Sequence, residues 1–463
     1  MEANRNFSIA SYMFAYYAAE VTDAELRQGL ERYLSVIPLR KVYVENHRAT
    51  TDVPVGRLRQ IKAILEEYGI IASGGITSTG LVNGLQKPSL FDTFCYTDPA
   101  HRAEYLRIVR EVASVFDEII LDDYFFTSCR CEMCIEAKGR RSWKDFRQAQ
   151  MADFSREIVA EAKRVNPRVN FIIKYPNWYE SHQATGYNPG VQRGIFDMIY
   201  TGTETREPFY AAQHLQRYAS YGIMRLLENA APGRNGGGWI DLGGSSDNIN
   251  RFIEQAEFTL LGGAKELTLF NFPSLLESTG LPAMDPALRR VDAFLDRAGK
   301  PRGTAVWEPF DAGGEDQLCA YLGMCGLALE LTPDFPEDAP TILFTQRTAC
   351  APDAMEKLEA YVRVGGRAVV TTGFLHEMKD RGILDMTSVR PTHRHVMGRE
   401  YMIDRNDYDY SAIRYAQAPE RMLFEALDYK TNATWADVLM LAGEDNFPVL
   451  TEDYNGPRES DQG

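Results

Sequence analysis

EIILDDYFF (118–126) is a short apolar run, rich in β-branched residues, that ends on two adjacent carboxylates and passes into the polar, cysteine-bearing segment TSCRCEMC (127–134). Ile and Leu suit a pleated, buried surface, and the aspartates punctuate its end, so the stretch reads as a strand followed by a loop. The helical stretch DFSREIVAEAKRV (153–165) follows, with apolar residues at three-to-four spacing. Strand, loop and helix make one βα unit.

The same rhythm repeats outward in both directions to about residue 300. Candidate strands are FSIASYMF (7–14), KVYVENH (41–47), GIIASGGIT (69–77), NFIIKYPNW (170–178), DMIYTGTET (197–205), MRLLENA (224–230) and ELTLFNF (266–272). Segments such as DAELRQGLERYLSVI (23–37), PVGRLRQIKAILEEYG (54–69) and PAHRAEYLRIVREVASVF (99–116) supply amphipathic helices between them. With EIILDDYFF the strands number eight, the count that closes a (β/α)₈ TIM barrel, and this favours a barrel over residues 1–300 against an open doubly wound sheet. After GKPRGT (299–304) the period changes to helix, strand, strand, helix, Gly turn, strand. Residues 301–395 are therefore expected to form a smaller flavodoxin-like α/β domain, and 396–463 a weakly defined C-terminal segment.

With 463 residues and 44% apolar content, the chain can bury sizeable cores. A formal charge of −15 disfavours nucleic acid or an anionic membrane as partner, since both demand a cationic surface. No secretory signal and no apolar stretch of membrane-spanning length is legible, so a cytoplasmic protein is expected. Seven cysteines in such a chain point to metal rather than disulfides. Cys129, Cys131 and Cys134 form C-x-C-x-x-C after the fourth strand and Cys95 lies in the loop after the third, so neighbouring strands would gather four thiolates. Four sulfurs without an open position suit a structural zinc, with an iron–sulfur cluster or reduced core thiols as the alternatives.

Barrel chemistry sits at the C-terminal strand ends, and the acidic side chains there are Glu45, Asp122, Asp123, Glu204 and Glu228. Glycoside hydrolysis needs two carboxylates, one protonated to donate to the leaving oxygen and one ionised to attack the sugar or activate water. Strand alternation lets one of the paired aspartates face the mouth, which assigns Asp123 as acid/base, Asp122 as its support and Glu228 as nucleophile. Glu45, Asp122, Arg48, Lys174, Glu204, Arg206 and Asn271 are expected to line the substrate site, Lys174, Glu204, Arg206 and Asn271 as hydroxyl-binding groups and Arg48 as a fork that could orient a carboxylate, while Trp178 and Trp239, with Tyr124, Tyr175 and Tyr179, stack on sugar rings. His47 reads as a structural histidine. Two rival readings remain: Glu204 taking the place of Glu228, and a non-catalytic sugar-binding or assembly protein on a degenerate barrel.

FCYTDPAHRAEYL (94–106), DDYFFTSCRCEMC (122–134) and ENAAPGRNGGGW (228–239) together resemble the glycoside hydrolase family 42 β-galactosidases. The resemblance implies the Cys₄ zinc site, an acid/base on strand four, a nucleophile on strand seven and a trimer whose amidotransferase-like domain corresponds to residues 303–395. That family has Asn-Glu where this chain has Asp122-Asp123, so β-galactosidase activity is not carried over. Cys350 lacks a nucleophile-elbow context, and no glutaminase activity is expected. The expected partner is a small glycoside or oligosaccharide, cleaved with retention if the carboxyl groups stand about 5 Å apart and with inversion if about 8 Å or more.

Overall fold

Isoleucine-, tyrosine- and glycine-rich runs that can be buried on both faces form the centre of the chain, and eight of them close into a parallel barrel. They are β1 (Ser8–Met13), β2 (Leu39–Glu45), β3 (Ile71–Ile76), β4 (Glu118–Leu121), β5 (Asn170–Tyr175), β6 (Met198–Gly202), β7 (Asn235–Asp241) and β8 (Glu266–Phe270). Each pairs with its neighbour in sequence, and β8 returns to β1. This computed structural model describes residues 3–82, 87–207, 215–243, 248–403, 414–429 and 434–453. The chain divides into two compact units, Met1–Gly303 with Gln317–Pro333, and Thr304–Asp316 with Asp334–Gly463.

The barrel interior is filled by large side chains. Tyr12, Tyr43, Ile120, Ile172, Tyr200 and Trp239 pack together there, with Tyr12 and Trp239 ring centroids 4.7 Å apart. Around them run amphipathic helices. Asp23–Leu34 starts with a capping box, in which the Thr22 hydroxyl accepts from the Glu25 N–H and the Glu25 carboxylate accepts from the Thr22 N–H. Trp143–Val165 is capped by Ser142.

The seventh strand is displaced from its expected place. MRLLENA (224–230) belongs to the helix Ala219–Ala230, whose buried Ile223, Met224, Leu227 and Ala230 follow helical spacing. The strand is the glycine run that follows, NGGGWID. A Cβ at Gly237 would lie 2.1 Å from the Glu266 carbonyl oxygen, and one at Gly238 would lie 2.1 Å from Thr259 Cγ2. Glycine is required here because backbone and helix approach more closely than any side chain permits.

The second unit contains the parallel strands Thr304–Trp307, Thr341–Phe344 and Arg367–Val370 over a core that includes Trp307, Phe344, Leu358 and Phe374. The segment 317–333, expected within this domain, packs in the first unit instead. Its Glu330 receives the fork of Arg225, with Nη2 to Oε1 at 2.6 Å. The described residues of the C-terminal segment form more regular structure than its sequence pattern indicates. Val389–Ile403, Arg414–Tyr429, Thr434–Ala442 and Asp445–Asp453 form an antiparallel sheet in which the second of these pairs with the first, the first with the third and the third with the fourth. Few of its residues are buried, Val396, Ala426 and Met440 being the core, so alternation is faint.

Gly237→Ala should lower the thermal midpoint of the barrel, at a cost of about 1–3 kcal/mol or more for overpacking against a backbone that cannot retreat. Calorimetry checks this, and an unchanged midpoint would contradict the close approach.

Candidate active site

Lys174, near the end of β5, is 1% exposed and lies among three carboxylates at the C-terminal mouth. Its ammonium donates to Glu204 Oε1 at 2.7 Å and to Asp123 Oδ2 at 3.0 Å, and stands 3.6 Å from Asp122 Oδ1. Below, the ammonium lies 4.3 Å from the centre of the Trp239 ring. β4 ends at Leu121, so Asp122 and Asp123 lie past the pleat and strand alternation no longer separates them. Both reach the mouth, contrary to the expectation that only one could.

Asp122 is satisfied on every side. It accepts from Arg48 Nη2 at 3.0 Å, from the Thr77 hydroxyl at 3.2 Å and from the Asp123 N–H at 2.8 Å. Arg48 also forks onto Glu45, with both contacts at 3.0 Å. Glu45 is wholly buried and additionally accepts from Tyr12 Oη at 2.7 Å, from the Ala15 N–H at 2.6 Å and from Thr77 Oγ1. A Cβ at Gly75 would press within 2.7 Å of the Tyr12 ring, so glycine leaves the phenol room to reach Glu45. Glu45 is therefore a supporting group below the mouth and has no free oxygen for a substrate.

Other expected site residues are corrected. Glu228 sits on the helix that precedes β7, at the opposite end of the barrel, where it accepts from the Gly233 N–H at 3.1 Å. Trp239 is 2% exposed and belongs to the barrel interior rather than to a stacking surface. Tyr175 is likewise buried, packed against the rings of His182 and Tyr187. The Asn271 side chain caps the helix Phe272–Glu277 by accepting from the Ser274 N–H at 3.0 Å. Trp178 and Tyr124 keep partly exposed rings beside the mouth. His47 is structural as read, with Nδ1 2.6 Å from Asp52 and Nε2 2.7 Å from the Thr79 carbonyl.

The carboxylate at the end of β7 is Asp241, which lies outside the expected set because the glycines of its strand disguise that strand as a loop. Arg206 forks onto it, Nε to Oδ1 at 3.0 Å and Nη2 to Oδ2 at 2.7 Å, and the Gly243 N–H donates to Oδ1 at 2.9 Å. WID followed by a turn carries the same signature as LDD, an apolar strand closing on an acid, and could have been read that way.

Glu45, Asp122, Asp123, Glu204 and Asp241 face three cations, Arg48, Lys174 and Arg206. Negative charge is in excess, and the carboxylates share it unequally. Asp123 is raised to about 7, by burial first and by the neighbouring Asp122 and Glu204, against the downward pull of Lys174. Burial also raises Glu204, against the pull of Lys174. In Asp122 burial acts upward too, yet Lys174 and Arg48 outweigh it and keep the group low. Near neutrality Asp123 can donate a proton while Asp122 stays ionised.

Beside the mouth, the sulfurs of Cys95, Cys129, Cys131 and Cys134 all lie within 4.8 Å of one another. Cys95 is 3.5 Å from Cys134 and 3.8 Å from Cys131, close to the roughly 3.8 Å edge of a tetrahedron with 2.3 Å zinc–sulfur bonds. All four are free thiols, packed against Phe146 and Trp143. The donor set fits zinc in geometry and in softness. A cavity of about 570 Å³ opens at the other end of the barrel, among Lys41, Lys62, Asp117 and Glu118, away from the carboxylates of the mouth.

Residues 1–284 match the family model described as "Probable glycosyl hydrolase, catalytic domain". A curated relative, "Uncharacterized protein SSO3021" of Saccharolobus solfataricus, is 27% identical over 303 residues, covering 59% of this chain and 50% of its own, so the chain spans about half that relative's length. Among solved structures, the cold-adapted β-galactosidase from Rahnella sp. R3 superposes with a TM-score of 0.63 at 10% identity, covering 97% of this chain and 86% of its own. A catalytic mutant of Gan42B, a GH42 β-galactosidase from G. stearothermophilus, gives 0.65 at 10% identity, with 97% and 84% covered. The α-L-fucosidase isoenzyme 2 from Paenibacillus thiaminolyticus gives 0.60 at 10% identity, with 96% and 79% covered. At such identities these likenesses establish the fold.

Because its folded pKa of about 7 exceeds the ordinary carboxyl value, Asp123 contributes stability that is fully present below about pH 4 and is lost as pH rises through about 7. Lys174→Met should move the Asp123 titration above 7, read from the carboxyl band in infrared difference spectra against Asp123→Asn. A downward shift would mean that the ammonium does not hold the aspartate.

Proposed function

The chain belongs to the family of probable glycosyl hydrolases whose catalytic domain matches residues 1–284, and we propose that it cleaves a small glycoside or oligosaccharide with Asp123 and Glu204 as its two carboxylates. The observation that carries this assignment is their common partner. Both bond Lys174 Nζ, so Asp123 Oδ2 and Glu204 Oε1 are no farther apart than those two hydrogen bonds laid end to end. That span is short of the roughly 6.5–9.5 Å an inverting pair needs and supports retention.

In this mechanism Asp123, partly open to solvent and protonated near neutrality, gives its proton to the glycosidic oxygen as the anomeric C–O bond breaks. Glu204, on the floor of the mouth, bonds the anomeric carbon. Asp123 then takes a proton from water, whose oxygen attacks the same carbon and releases Glu204. The transition state is oxocarbenium-like and cationic, and the excess of carboxylates over cations favours it. Tyr124 and Trp178 offer ring faces for the sugar.

Asp241 is the second reading for the nucleophile, favoured by its place at the end of β7. Its two oxygens are already held by Arg206 and the Gly243 N–H, which limits its reach toward a substrate. Cys95, Cys129, Cys131 and Cys134 would hold a structural zinc that ties the β3 and β4 loops beside the acid. With four thiolates it leaves no position for substrate.

A panel of aryl glycosides tests the pair. Asp123→Asn and Glu204→Gln should each lose about 100- to 10,000-fold in kcat/KM, with Asp123→Asn losing least on the best leaving groups, while Glu228→Gln keeps wild-type rates. Full activity in Glu204→Gln with loss in Asp241→Asn would transfer the role to Asp241. No turnover of any sugar by the wild type would leave a binding protein. Cys131→Ser should lose one equivalent of zinc by mass spectrometry and melt earlier.

A further inference from the structure

The second unit holds a cluster that the glycosidase reading does not use. His376 lies on the helix Thr372–Met378, His393 on the strand Val389–Ile403 and Glu425 on Arg414–Tyr429. One ligand atom from each lies within 4.8 Å of the other two. Three separate elements thus each bring one metal-binding side chain to a single point.

Each contact in the cluster is arranged around the carboxylate. His376 Nε2 is 2.7 Å from Glu425 Oε2, and the His393 backbone N–H donates to Glu425 Oε1 at 2.6 Å. The Glu425 side chain is 6% exposed and that of His376 23%. The two imidazoles lie almost face to face, with centroids 4.2 Å apart at 32°. Register between the paired strands slips from Pro391 opposite Leu427 to His395 opposite Glu425. The extra residues form a bulge, pinned by the Thr392 hydroxyl on the Ala426 carbonyl, that turns His393 back over His376. The ring nitrogens of His393 bond no other described residue. A cation held between these rings and the carboxylate would take neutral imidazole nitrogens as its ligands.

We propose that His376, His393 and Glu425 form an exchangeable site for a borderline divalent transition metal, zinc in the first instance. Two imidazole nitrogens and one carboxylate oxygen suit zinc, nickel or copper better than calcium or magnesium, which prefer all-oxygen shells. Among the described residues three protein ligands are supplied and His393 is exposed, so the remaining position belongs to water or to an incoming ligand. The site differs from the thiolate cluster in chemistry, in exchangeability and in the unit that carries it.

The test counts metal. The full chain, without a histidine tag, is dialysed against buffered free zinc and its bound zinc measured by mass spectrometry beside His393→Asn and Glu425→Gln. Asparagine suits the positive φ of 57° at position 393, so this variant keeps the bulge. The expected result is one zinc fewer per chain in both variants than in the wild type, whatever the thiolate cluster holds. Their circular dichroism in the absence of added zinc should match the wild type. Equal zinc counts in wild type and His393→Asn overturn the site, as does a count that falls only in Glu425→Gln with loss of sheet signal.

Discussion

A single buried ammonium governs the mouth of this barrel. Lys174 is almost wholly enclosed, and an isolated charge there would be expensive to keep. Three carboxylates around it make the charge tolerable, and the same ammonium keeps those carboxylates from repelling one another apart. Removing one member of such a buried set typically costs about 3–5 kcal/mol, because the others are left uncompensated. The arrangement of Asp122, Asp123 and Glu204 is thus a consequence of where β5 delivers its lysine.

Support for this arrangement runs down into the barrel. Tyr12 fixes Glu45, Glu45 and Asp122 share Arg48, and Asp122 accepts from the Asp123 backbone. Each bond orients the next, so the acid above is positioned by an interior tyrosine that never meets solvent. Glycine at position 75 makes room for that ring. Packing in the barrel interior and chemistry at its mouth are one connected construction, and the unequal proton affinities of neighbouring aspartates follow from it.

The family match and the geometry speak to different questions. A barrel shared at about 10% identity with β-galactosidases and a fucosidase says how the strands are wound. Which carboxylates act depends on the strand ends of this chain, where Asp122 and Asp123 follow β4 and Asp241 closes β7. Function lies in those side chains.

Periodicity alone made most of the barrel legible. Seven of its eight strands and the places of Asp123, Lys174 and Glu204 at the mouth follow from apolar runs that end on polar ones, since local pattern and burial agree there, and the four-cysteine cluster follows from the spacing of its cysteines. The seventh strand did not follow. NGGGWID looks like a loop because glycine disfavours strands, and only contact with the Glu266 backbone and Thr259 reveals why glycine must be there. Glu228 was misplaced for the same reason, and Asp241 hidden. Nor could sequence bring His376, His393 and Glu425 together, because a strand bulge sets their meeting point. Sequence by itself determined the winding and the stock of reactive groups, through periods read within a few residues. Tertiary structure alone decided which of those groups face one another, because close backbone approach and cross-strand register depend on residues far apart in the chain.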